Sequence, residues 1–573
     1  MRIYLALLLA VALMSPALAQ VKNFKPVTDA VLENPGPADW VNWRRTQDAW
    51  GYSPLKQINK QNAGRLQLAW SWAMPQGDNE SGPLVYDGVM YLPGPRGVVQ
   101  ALEAATGDFL WEYKKEFEEP PKFLNVMRNL AIFSDKVFVN TNDAHTVALD
   151  ARTGTVVWDQ KVADYKLGYR FTSGPIIVKG KVIAGMTGCD RFKVAGVTDV
   201  CFIVAYDAQT GKELWKTSTV ARPGEPGGET WGDLPLIFRA GSDAWIPGSY
   251  DPKTNLIYWG TSQAKPWASL QRGNATDALY SNSVLAINPD DGKIVWYHQY
   301  VPGETHDLDE SFESILIDHD GRNSLFEMGK FGILWEVDRK TGKLLSVHDL
   351  GYQNIIDVDP ETGKVTYKPG MIPKPGIPID YCPSGGGIKT WRAMSYHPDT
   401  KAFYIPTSYG CAKTSFVPVD FIEGGGNNSI PPYIGTTAFG GHPNPKHPEP
   451  GDFIAMDIRT GKVLWRQTLK STPSSAALTT AGGLAIFGDA DRYLYIHDVD
   501  SGKLLYQTRL PSSAAGFPIT YSVRGKQYLA VPAGRIQFPP FPPGTVIPPT
   551  QPGPSGTRYP TTGNAIYVFA VSE

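Results

Sequence analysis

The sequence predicts an all-β fold built from repeated four-stranded units, and three observations support this. The chain has 573 residues, enough for several domains or for one large repeat architecture. Its 58 glycines and 48 prolines indicate many turns. A short motif also recurs along it: an apolar strand, a turn with Asp or Thr before Gly, and a second strand that usually ends in Trp.

Seven copies of the motif are visible, each with a turn Gly that supplies the positive φ of a tight hairpin. They are ALEAATGDFLW (101–111), ALDARTGTVVW (148–158), AYDAQTGKELW (205–215), AINPDDGKIVW (286–296), EVDRKTGKLLS (336–346), AMDIRTGKVLW (455–465) and IHDVDSGKLLY (496–506). Readable strands precede the units, as in GPLVYDGVMYL. Four strands per unit, repeated, describe the blades of a β-propeller.

Counting the blades requires one further segment. AMSYHPDTKAFYIPTS, which lies between Gly342 and Gly461, is interpreted as a blade without its turn signature, giving eight in all. We expect the ring to close by pairing LQLAWSW (66–72) with NAIYVFAV (564–571), which leaves no exposed edge at the seam. The alternative, a sandwich with chance turn similarity, does not account for seven such turns. The repeated Trp residues should pack between blades, whereas Trp245 stands outside their series.

The N-terminus predicts export. Arg2 precedes an apolar run that ends in Ala-Leu-Ala, so residues 1–19 are interpreted as a signal peptide cleaved after Ala19. A membrane anchor would need a longer apolar run. Residues 20–573 are then expected to form a single propeller domain in the periplasm. Lys+Arg 54 against Asp+Glu 56 gives a net charge of -2, which offers no footprint for nucleic acid or for an anionic membrane.

Export permits disulfides, and the four cysteines allow three pairings. We favour Cys189–Cys201 and Cys382–Cys411, because each pair brackets one irregular loop. A metal site built from cysteines is the weaker interpretation, since there is no C-x-x-C pair. There is also no C-x-x-C-H haem attachment motif.

Several polar and aromatic residues precede or interrupt the strands in a pattern that resembles the quinoprotein alcohol dehydrogenases. These are eight-bladed propellers that use pyrroloquinoline quinone (PQQ) and a calcium ion. The resemblance covers essentially the whole mature chain. It implies that the following residues contact the quinone: Glu80 (in NESGPLVYDG), Arg128 (VMRNLAIF), Thr172 (FTSGPIIV), Thr187 and Gly188 (MTGCDRF), Trp245 (AWIPGS), Lys330 (GKFGILWEVD), and Thr390 with Trp391.

Each residue type suits a flat, anionic cofactor. Trp245 matches the ring on which the quinone stacks, and Arg128 supplies a cationic donor for its carboxylates. Lys330 falls where the family places an Arg or Lys that polarises the reactive carbonyls. Thr390 and Trp391 lie in a loop that usually contributes an Asn to the same pocket.

The metal positions depart from the family pattern. Asp190 stands where the family usually has Glu, and Gln263 where it usually has Asn, so one side chain is shorter and the other longer. Together they can still present oxygens to a hard cation, and the resemblance therefore implies a calcium site, with an altered or lost site as the alternative. The eighteen residues from Trp245 to Gln263 match the family spacing.

Two aspartates are candidates for the catalytic base. The family has His-Asp-x-Trp-Asp, whereas this chain has His306-Asp307-Leu308-Asp309, one residue shorter and without the Trp. Asp309 is the preferred base and third metal ligand, with Asp307 as the alternative. A lanthanide would be expected to need a carboxylate two residues beyond the base. With Asp309 as base that position is Ser311, which favours calcium; with Asp307 as base the argument reverses.

The substrate side also differs. The adjacent cysteine pair that covers the quinone in relatives acting on small primary alcohols is absent, and Phe123, Leu124 or Asn125 are the candidate replacements. Ser474 replaces a common Trp. A larger or secondary alcohol is therefore expected, with electrons passed to a separate acceptor such as a soluble cytochrome c. A non-catalytic propeller scaffold and a propeller hydrolase are the other function classes, and neither accounts for the joint Glu, Arg, Trp, Lys and Asp positions.

Overall fold

The computed structural model describes residues 21–119, 126–189, 200–416, 436–534, 550–552, 558–560 and 562–572. Within these residues, strands form eight four-stranded antiparallel units, which we call blades 1 to 8. The predicted eight-bladed propeller is thereby confirmed.

The strands have the following bounds in chain order. The first two are β1 (Tyr52–Ser53) and β2 (Leu66–Ala73). Blade 1 has β3 (Leu84–Tyr86), β4 (Val89–Gly94), β5 (Val98–Glu103) and β6 (Phe109–Lys114). Blade 2 has β7 (Ala131–Phe133), β8 (Lys136–Asn140), β9 (His145–Asp150) and β10 (Val156–Lys161). Blade 3 has β11 (Ile176–Val178), β12 (Lys181–Gly185), β13 (Phe202–Asp207) and β14 (Glu213–Ser218).

The middle of the chain continues with β15 (Ala240–Gly241), β16 (Ser249–Asp251), β17 (Leu256–Gly260), β18 (Ala264–Lys265), β19 (Ser283–Ile287) and β20 (Ile294–Gln299). Of these, β16, β17, β19 and β20 form blade 4, and β15 pairs with β18. Blade 5 has β21 (Ile315–His319), β22 (Arg322–Met328), β23 (Ile333–Asp338) and β24 (Leu344–Asp349). A small hairpin follows, β25 (Ile356–Val358) with β26 (Val365–Tyr367).

The last third contains β27 (Pro378–Tyr381), β28 (Ser395–His397), β29 (Ala402–Ser408), β30 (Gly410–Phe416), β31 (Thr436–Pro443), β32 (Gly451–Asp457) and β33 (Val463–Leu469). Blade 6 is β28, β29, β32 and β33, and β27, β30 and β31 form a separate sheet. Blade 7 has β34 (Leu478–Thr480), β35 (Leu484–Gly488), β36 (Tyr493–Asp498) and β37 (Leu504–Arg509), with β1 added in parallel. The chain ends with β38 (Ile519–Val523), β39 (Lys526–Ala533), β40 (Thr550–Pro552), β41 (Arg558–Pro560) and β42 (Ala565–Val571).

Helical structure among the described residues is limited to short pieces. Helix α1 (Asp29–Glu33) is capped by the Thr28 hydroxyl. Six 3₁₀ turns span Ala63–Arg65, Pro95–Gly97, Tyr165–Leu167, Gly228–Trp231, Leu236–Phe238 and Ser269–Gln271. No helix in this part of the chain has the length and apolar character needed to span a lipid bilayer.

The first strand of each blade lies next to the central axis. First strands of neighbouring blades approach one another, as β7 does β11 and β16 does β21. A parallel bridge between Gly82 and Asn129 joins the segments that lead into β3 and β7. Segments that enter the first strands at one end of the ring therefore converge on the axis, although they lie far apart in the sequence.

The burial pattern of each strand follows from its position within the blade. Inner strands such as β4 and β5 are buried along nearly their whole length, because the neighbouring blades cover both of their faces. The outermost strands alternate between half-buried and exposed residues, as β33 does. The core thus consists of apolar layers between successive blades.

The repeated Trp residues join each blade to the next. The Trp158 indole donates a hydrogen bond to the Ala208 carbonyl (3.2 Å) and covers Gly211, the turn glycine of the following blade. Gly211 has a φ of +72°, and a Cβ on it would lie 2.8 Å from Trp158 Cδ2. The same contact between ring and glycine joins five other pairs: Trp70–Gly107, Trp111–Gly154, Trp215–Gly292, Trp296–Gly342 and Trp465–Gly502. The prediction that these Trp residues pack between blades is confirmed.

Ring closure is also confirmed, but the composition of two blades was predicted wrongly. Strand β2 pairs antiparallel with β42, and with β38 and β39 they form blade 8. The segment AMSYHPDTKAFYIPTS is not a blade of its own. It supplies β28 and β29, which pair with the 455–465 unit in blade 6. The blade without the motif is the closing one, because its outer strand comes from the N-terminal part of the chain.

Both predicted disulfides are present, Cys189–Cys201 and Cys382–Cys411. The second disulfide joins Cys411 in β30 to Cys382, which directly follows β27. It therefore ties the separate β27–β30–β31 sheet to the segment 382–391 that leads into blade 6. Residues 1–19, the predicted signal peptide, lie outside the described residues.

We predict that Gly211→Ala destabilises the protein more than Gly525→Ala. Both glycines have positive φ, which costs an alanine about 1–2 kcal/mol. Only Gly211 is covered by an indole, so overpacking should add about 1–3 kcal/mol, whereas nothing lies within 4 Å of a Cβ on Gly525. Thermal unfolding followed by circular dichroism would show the difference. Equal losses in the two variants would contradict the role of the Trp–Gly contact.

Candidate active site at one end of the propeller

The described candidate residues fall in two kinds of loop that open at the same end of the ring. Glu80, Arg128, Thr172, Trp245, Asp309, Thr390 and Trp391 precede the first strands of blades 1 to 6. Thr187, Gly188, Gln263 and Lys330 follow the second strands of blades 3, 4 and 5. Because the first two strands of a blade run antiparallel, the start of one and the end of the other lie at the same edge.

A buried ion pair faces two indole rings. Glu80 Oε2 lies 2.5 Å from Arg128 Nη2, and both side chains are almost fully buried. The Arg128 guanidinium carbon lies 5.0 Å from the centre of the Trp245 ring and 5.8 Å from that of Trp391. Burial raises the pKa of Glu80, with Arg128 opposing the shift, and burial lowers the pKa of Arg128. The structure therefore brings together four residues that the sequence placed in the cofactor pocket.

Trp245 is held in place by contacts on its backbone and its ring. Its carbonyl accepts a hydrogen bond from Ser173 Oγ (2.7 Å), and its ring packs edge-on against Phe312 at 5.4 Å. Arg128 Nη1 donates to the Thr172 carbonyl at 3.1 Å, which ties the loops of blades 2 and 3 together. The aromatic surface is thus fixed independently of any ligand.

Thr187 and Gly188 lie in the loop after β12, at the same end of the ring. Thr187 exchanges two backbone hydrogen bonds with Arg170. Gly188 has a φ of +77°, and a Cβ there would collide with the Gly168 carbonyl. A glycine is therefore required at this close approach of two chains.

The acidic segment meets Gln263 and two lysines. Asp309 Oδ1 accepts from the Gln263 backbone N–H (3.1 Å), and its Oδ2 lies 3.1 Å from Lys330 Nζ. Gln263 Nε2 donates a short hydrogen bond to Asp307 Oδ1. Lys330 Nζ also donates to the Asp307 carbonyl (2.7 Å), and Lys265 Nζ lies 3.6 Å from Asp307 Oδ1. Both carboxylates of the shortened segment therefore reach the same cluster.

The charged side chains of this cluster shift one another's pKa values. Burial raises the pKa of Asp307, and the nearby Lys330 and Lys265 oppose the shift. Burial alone would lower the pKa of Lys330, but Asp307 and Asp309 outweigh it and raise that pKa. The two acidic side chains therefore favour the charged form of the lysine.

Glu310 holds the turn that carries Lys330. Its carboxylate accepts from the Phe331 backbone N–H (3.0 Å) and from Trp335 Nε1 (3.1 Å). These bonds connect the 306–310 segment to the turn that carries Lys330. Burial raises the pKa of Glu310 to about 7.

Sequence reasoning missed Lys265, Glu310 and Arg392 as residues of this region. Lys265 follows Gln263 by two positions, and Arg392 directly follows Trp391, so adjacency to assigned residues was the available signal. Asp190, the proposed metal ligand, and Phe123, Leu124 and Asn125, the candidates for covering the pocket, lie outside the described residues.

An eight-bladed ring that carries an aromatic surface, a buried arginine and an acid–lysine cluster in loops at one end is typical of a class of propeller enzymes. Residues 40–349 and 447–529 match the family model described as "PQQ: Glucose/ethanol/alcohol dehydrogenase, beta-propeller domain". The chain belongs to this family and is a PQQ-dependent alcohol dehydrogenase that uses a metal ion.

Individual relatives agree over most of the chain. Quinohemoprotein alcohol dehydrogenase ADH IIB of Pseudomonas putida is 32% identical over 553 residues, covering 92% of this chain and 78% of that protein. A lanthanide-dependent methanol dehydrogenase of Methylacidiphilum fumariolicum is 30% identical and is matched over 93% of both chains. A solved structure described as a europium-containing methanol dehydrogenase matches with a TM-score of 0.83 at 28% identity, over 94% of this chain and 99% of that one.

We predict that Lys330→Gln destabilises the protein far more than Lys253→Gln. Removing a buried cation leaves Asp307 and Asp309 without their shared partner, which costs about 3–5 kcal/mol. Lys253 pairs with Asp318 at the surface, where it is 73% exposed, so its loss should cost no more than about 1 kcal/mol. Denaturant unfolding of the metal-free protein would compare the two. Similar small losses would show that the cluster does not depend on Lys330.

Proposed function

We propose that the chain is an exported dehydrogenase that oxidises an alcohol with PQQ and Ca²⁺, and then passes the electrons to a separate acceptor such as a soluble cytochrome c. The observation that carries this proposal is the convergence of the Glu80–Arg128 pair, the Trp245 ring and the Lys330–Asp309 pair at one end of the ring axis. A non-catalytic scaffold has no use for buried charges arranged around an aromatic surface.

The pocket residues fit an anionic, flat quinone. Thr172 Oγ1 is buried and has no hydrogen-bond partner among the described residues, so it remains available to a ligand. Trp245 offers its ring for stacking, and Arg128 offers a guanidinium to a carboxylate. We assign cofactor binding to Glu80, Arg128, Thr172, Thr187, Gly188, Trp245, Lys330, Thr390 and Trp391.

The donor set also fits a hard cation. Gln263 Oε1 is buried without a hydrogen-bond partner in the described part of the chain, since the amide nitrogen is the atom bonded to Asp307. Gln263 and Asp309 then supply oxygens, and we expect Asp190 to supply another. Calcium is favoured because Ser311, rather than a carboxylate, stands two residues beyond Asp309.

Asp309 is proposed as the general base. It lies beside Gln263, and Lys330 fixes its second oxygen at 3.1 Å. Asp307 is the alternative base; its Oδ1 accepts a hydrogen bond from Gln263 and lies 3.6 Å from Lys265 Nζ. Asp309 takes the hydroxyl proton while the substrate carbon loses a hydride, which leaves an aldehyde or ketone. When bound, the quinone is the two-electron acceptor and the metal polarises its carbonyl.

We further propose a bulky or secondary alcohol as the substrate. Ser474 is buried, and its hydroxyl donates to the Ala514 carbonyl (2.6 Å), so a small side chain stands where the family commonly has Trp. Export through residues 1–19 into the periplasm is consistent with the two disulfides, and residues 20–573 then form one propeller domain.

We predict that the purified metal-free, quinone-free protein oxidises alcohols in a dye-coupled assay only when PQQ and Ca²⁺ are both added. Cyclic and secondary alcohols should show higher kcat/KM than methanol or ethanol, because the pocket lacks the cysteine pair and the Trp. Reduction of a soluble cytochrome c in place of the dye would test the acceptor. Activity with La³⁺ but not Ca²⁺ would contradict the metal assignment, and a preference for methanol would contradict the substrate assignment.

We predict that Asp309→Asn lowers kcat by about 10²–10⁴-fold, because the hydroxyl proton loses its acceptor. Asp307→Asn should lower kcat much less and should mainly weaken metal binding through Gln263. Both kcat and the apparent Ca²⁺ affinity would be measured for each variant. The reverse order of kcat losses would identify Asp307 as the base.

A further inference from the structure

Arg392 is a half-buried cation with no ion-pair partner among the described residues. Its Nη2 donates to Ser408 Oγ at 3.2 Å, while its Nε is buried and has no hydrogen-bond partner among the described residues. Within the same residues, no carboxylate oxygen lies within 4.0 Å of its guanidinium nitrogens. A guanidinium removed from water in this way is costly unless an anion reaches it.

This guanidinium lies at the cofactor pocket. Its central carbon is 5.8 Å from the centre of the Trp391 ring, and the Arg128 guanidinium carbon is at the same distance from that ring. Arg128 is also 5.0 Å from the Trp245 ring. The two guanidinium groups therefore both lie next to the Trp391 ring, and Arg128 also lies next to the Trp245 ring.

Only one described carboxylate acts on both cations. Glu80 lies 2.5 Å from Arg128, and its charge also acts on Arg392. Burial lowers the pKa of Arg392 to about 10, with Glu80 opposing the shift, so the side chain is still charged at neutral pH. Glu80 is already paired with Arg128, so Arg392 has no carboxylate of its own among the described residues and can accept an anionic ligand.

We propose that Arg392 binds a carboxylate of the quinone, as a second guanidinium beside Arg128. This inference rests on the proposed function, since it needs the quinone in this pocket. A planar guanidinium binds carboxylate through paired N–H groups, and its free Nε is suited to such a contact. Arg392 would therefore contribute to cofactor affinity, in addition to the residues that the family resemblance implies.

The test is the dissociation constant of PQQ for the purified quinone-free protein with Ca²⁺ present, measured by quenching of tryptophan fluorescence. Arg392→Gln should raise the constant by about 10- to 100-fold, as expected for one lost charge-assisted contact. Arg392→Lys should retain part of the affinity. Arg509→Gln is the matched control, because Arg509 also lies over an aromatic ring, 5.1 Å from that of Tyr493, but is exposed on blade 7.

Two further measurements separate cofactor binding from a structural role. The melting temperature of the quinone-free Arg392→Gln variant should equal or exceed that of the unchanged protein, because an uncompensated cation has been removed. The trimethyl ester of PQQ, which lacks carboxylate charge, should bind the variant and the unchanged protein equally well. A lower melting temperature together with an unchanged dissociation constant for PQQ would show that Arg392 has only a structural role, through its hydrogen bond to Ser408.

The results also distinguish this inference from the proposed function. If the unchanged protein binds PQQ and Arg392→Gln binds it equally well, the inference is wrong and the function stands. A difference that persists with the trimethyl ester would overturn the carboxylate contact. If the unchanged protein does not bind PQQ, both proposals fail.

Discussion

The packing of each outer-strand indole on the turn glycine of the next blade is the contact on which this structure depends. It repeats around the ring, and at blade 5 the motif lacks Trp and His348 covers Gly461 instead. Together with the β2–β42 pairing, it fixes the angle between successive blades and removes the free sheet edges at the seam. The first strands are then held around one axis, and loops separated by hundreds of residues meet at its end. The pocket is rigid because the ring is closed.

That rigidity makes the buried charge of the site possible. Arg128 and Lys330 are buried, Arg392 is half-buried, and the carboxylates beside these cations are Glu80, Asp307 and Asp309. Such an arrangement costs stability in the absence of a ligand. It also provides a preorganised anion site next to the Trp245 ring. Binding of an anionic quinone therefore restores the stability that the ligand-free protein loses by burying these charges. The same buried cations therefore affect both ligand binding and the stability of the fold.

The sequence was sufficient to predict whatever depends on local pattern or repetition. The turn motif predicted the hairpins, the indole packing and seven of the blades, and the loops that the cysteines bracket predicted both disulfides; the eighth blade was counted from a segment that belongs to blade 6. Residues 393–408 were misassigned from the sequence, because β30 and β31 intervene before the partner strands of blade 6 and pairing across such an excursion leaves no local signal. Arg392 and Lys265 were missed for a related reason. Their importance comes from neighbours on other blades, Glu80 and Asp307, which only the closed ring brings near.

A crystal structure of the protein grown with PQQ and Ca²⁺ would test the central claim most directly. The account predicts a flat tricyclic ligand on the Trp245 ring, with its carboxylates at Arg128 and Arg392. It also predicts a calcium ion bound by Gln263 Oε1 and Asp309. A quinone bound elsewhere, or a pocket at the end of the axis that stays free of quinone in a saturated crystal, would contradict it.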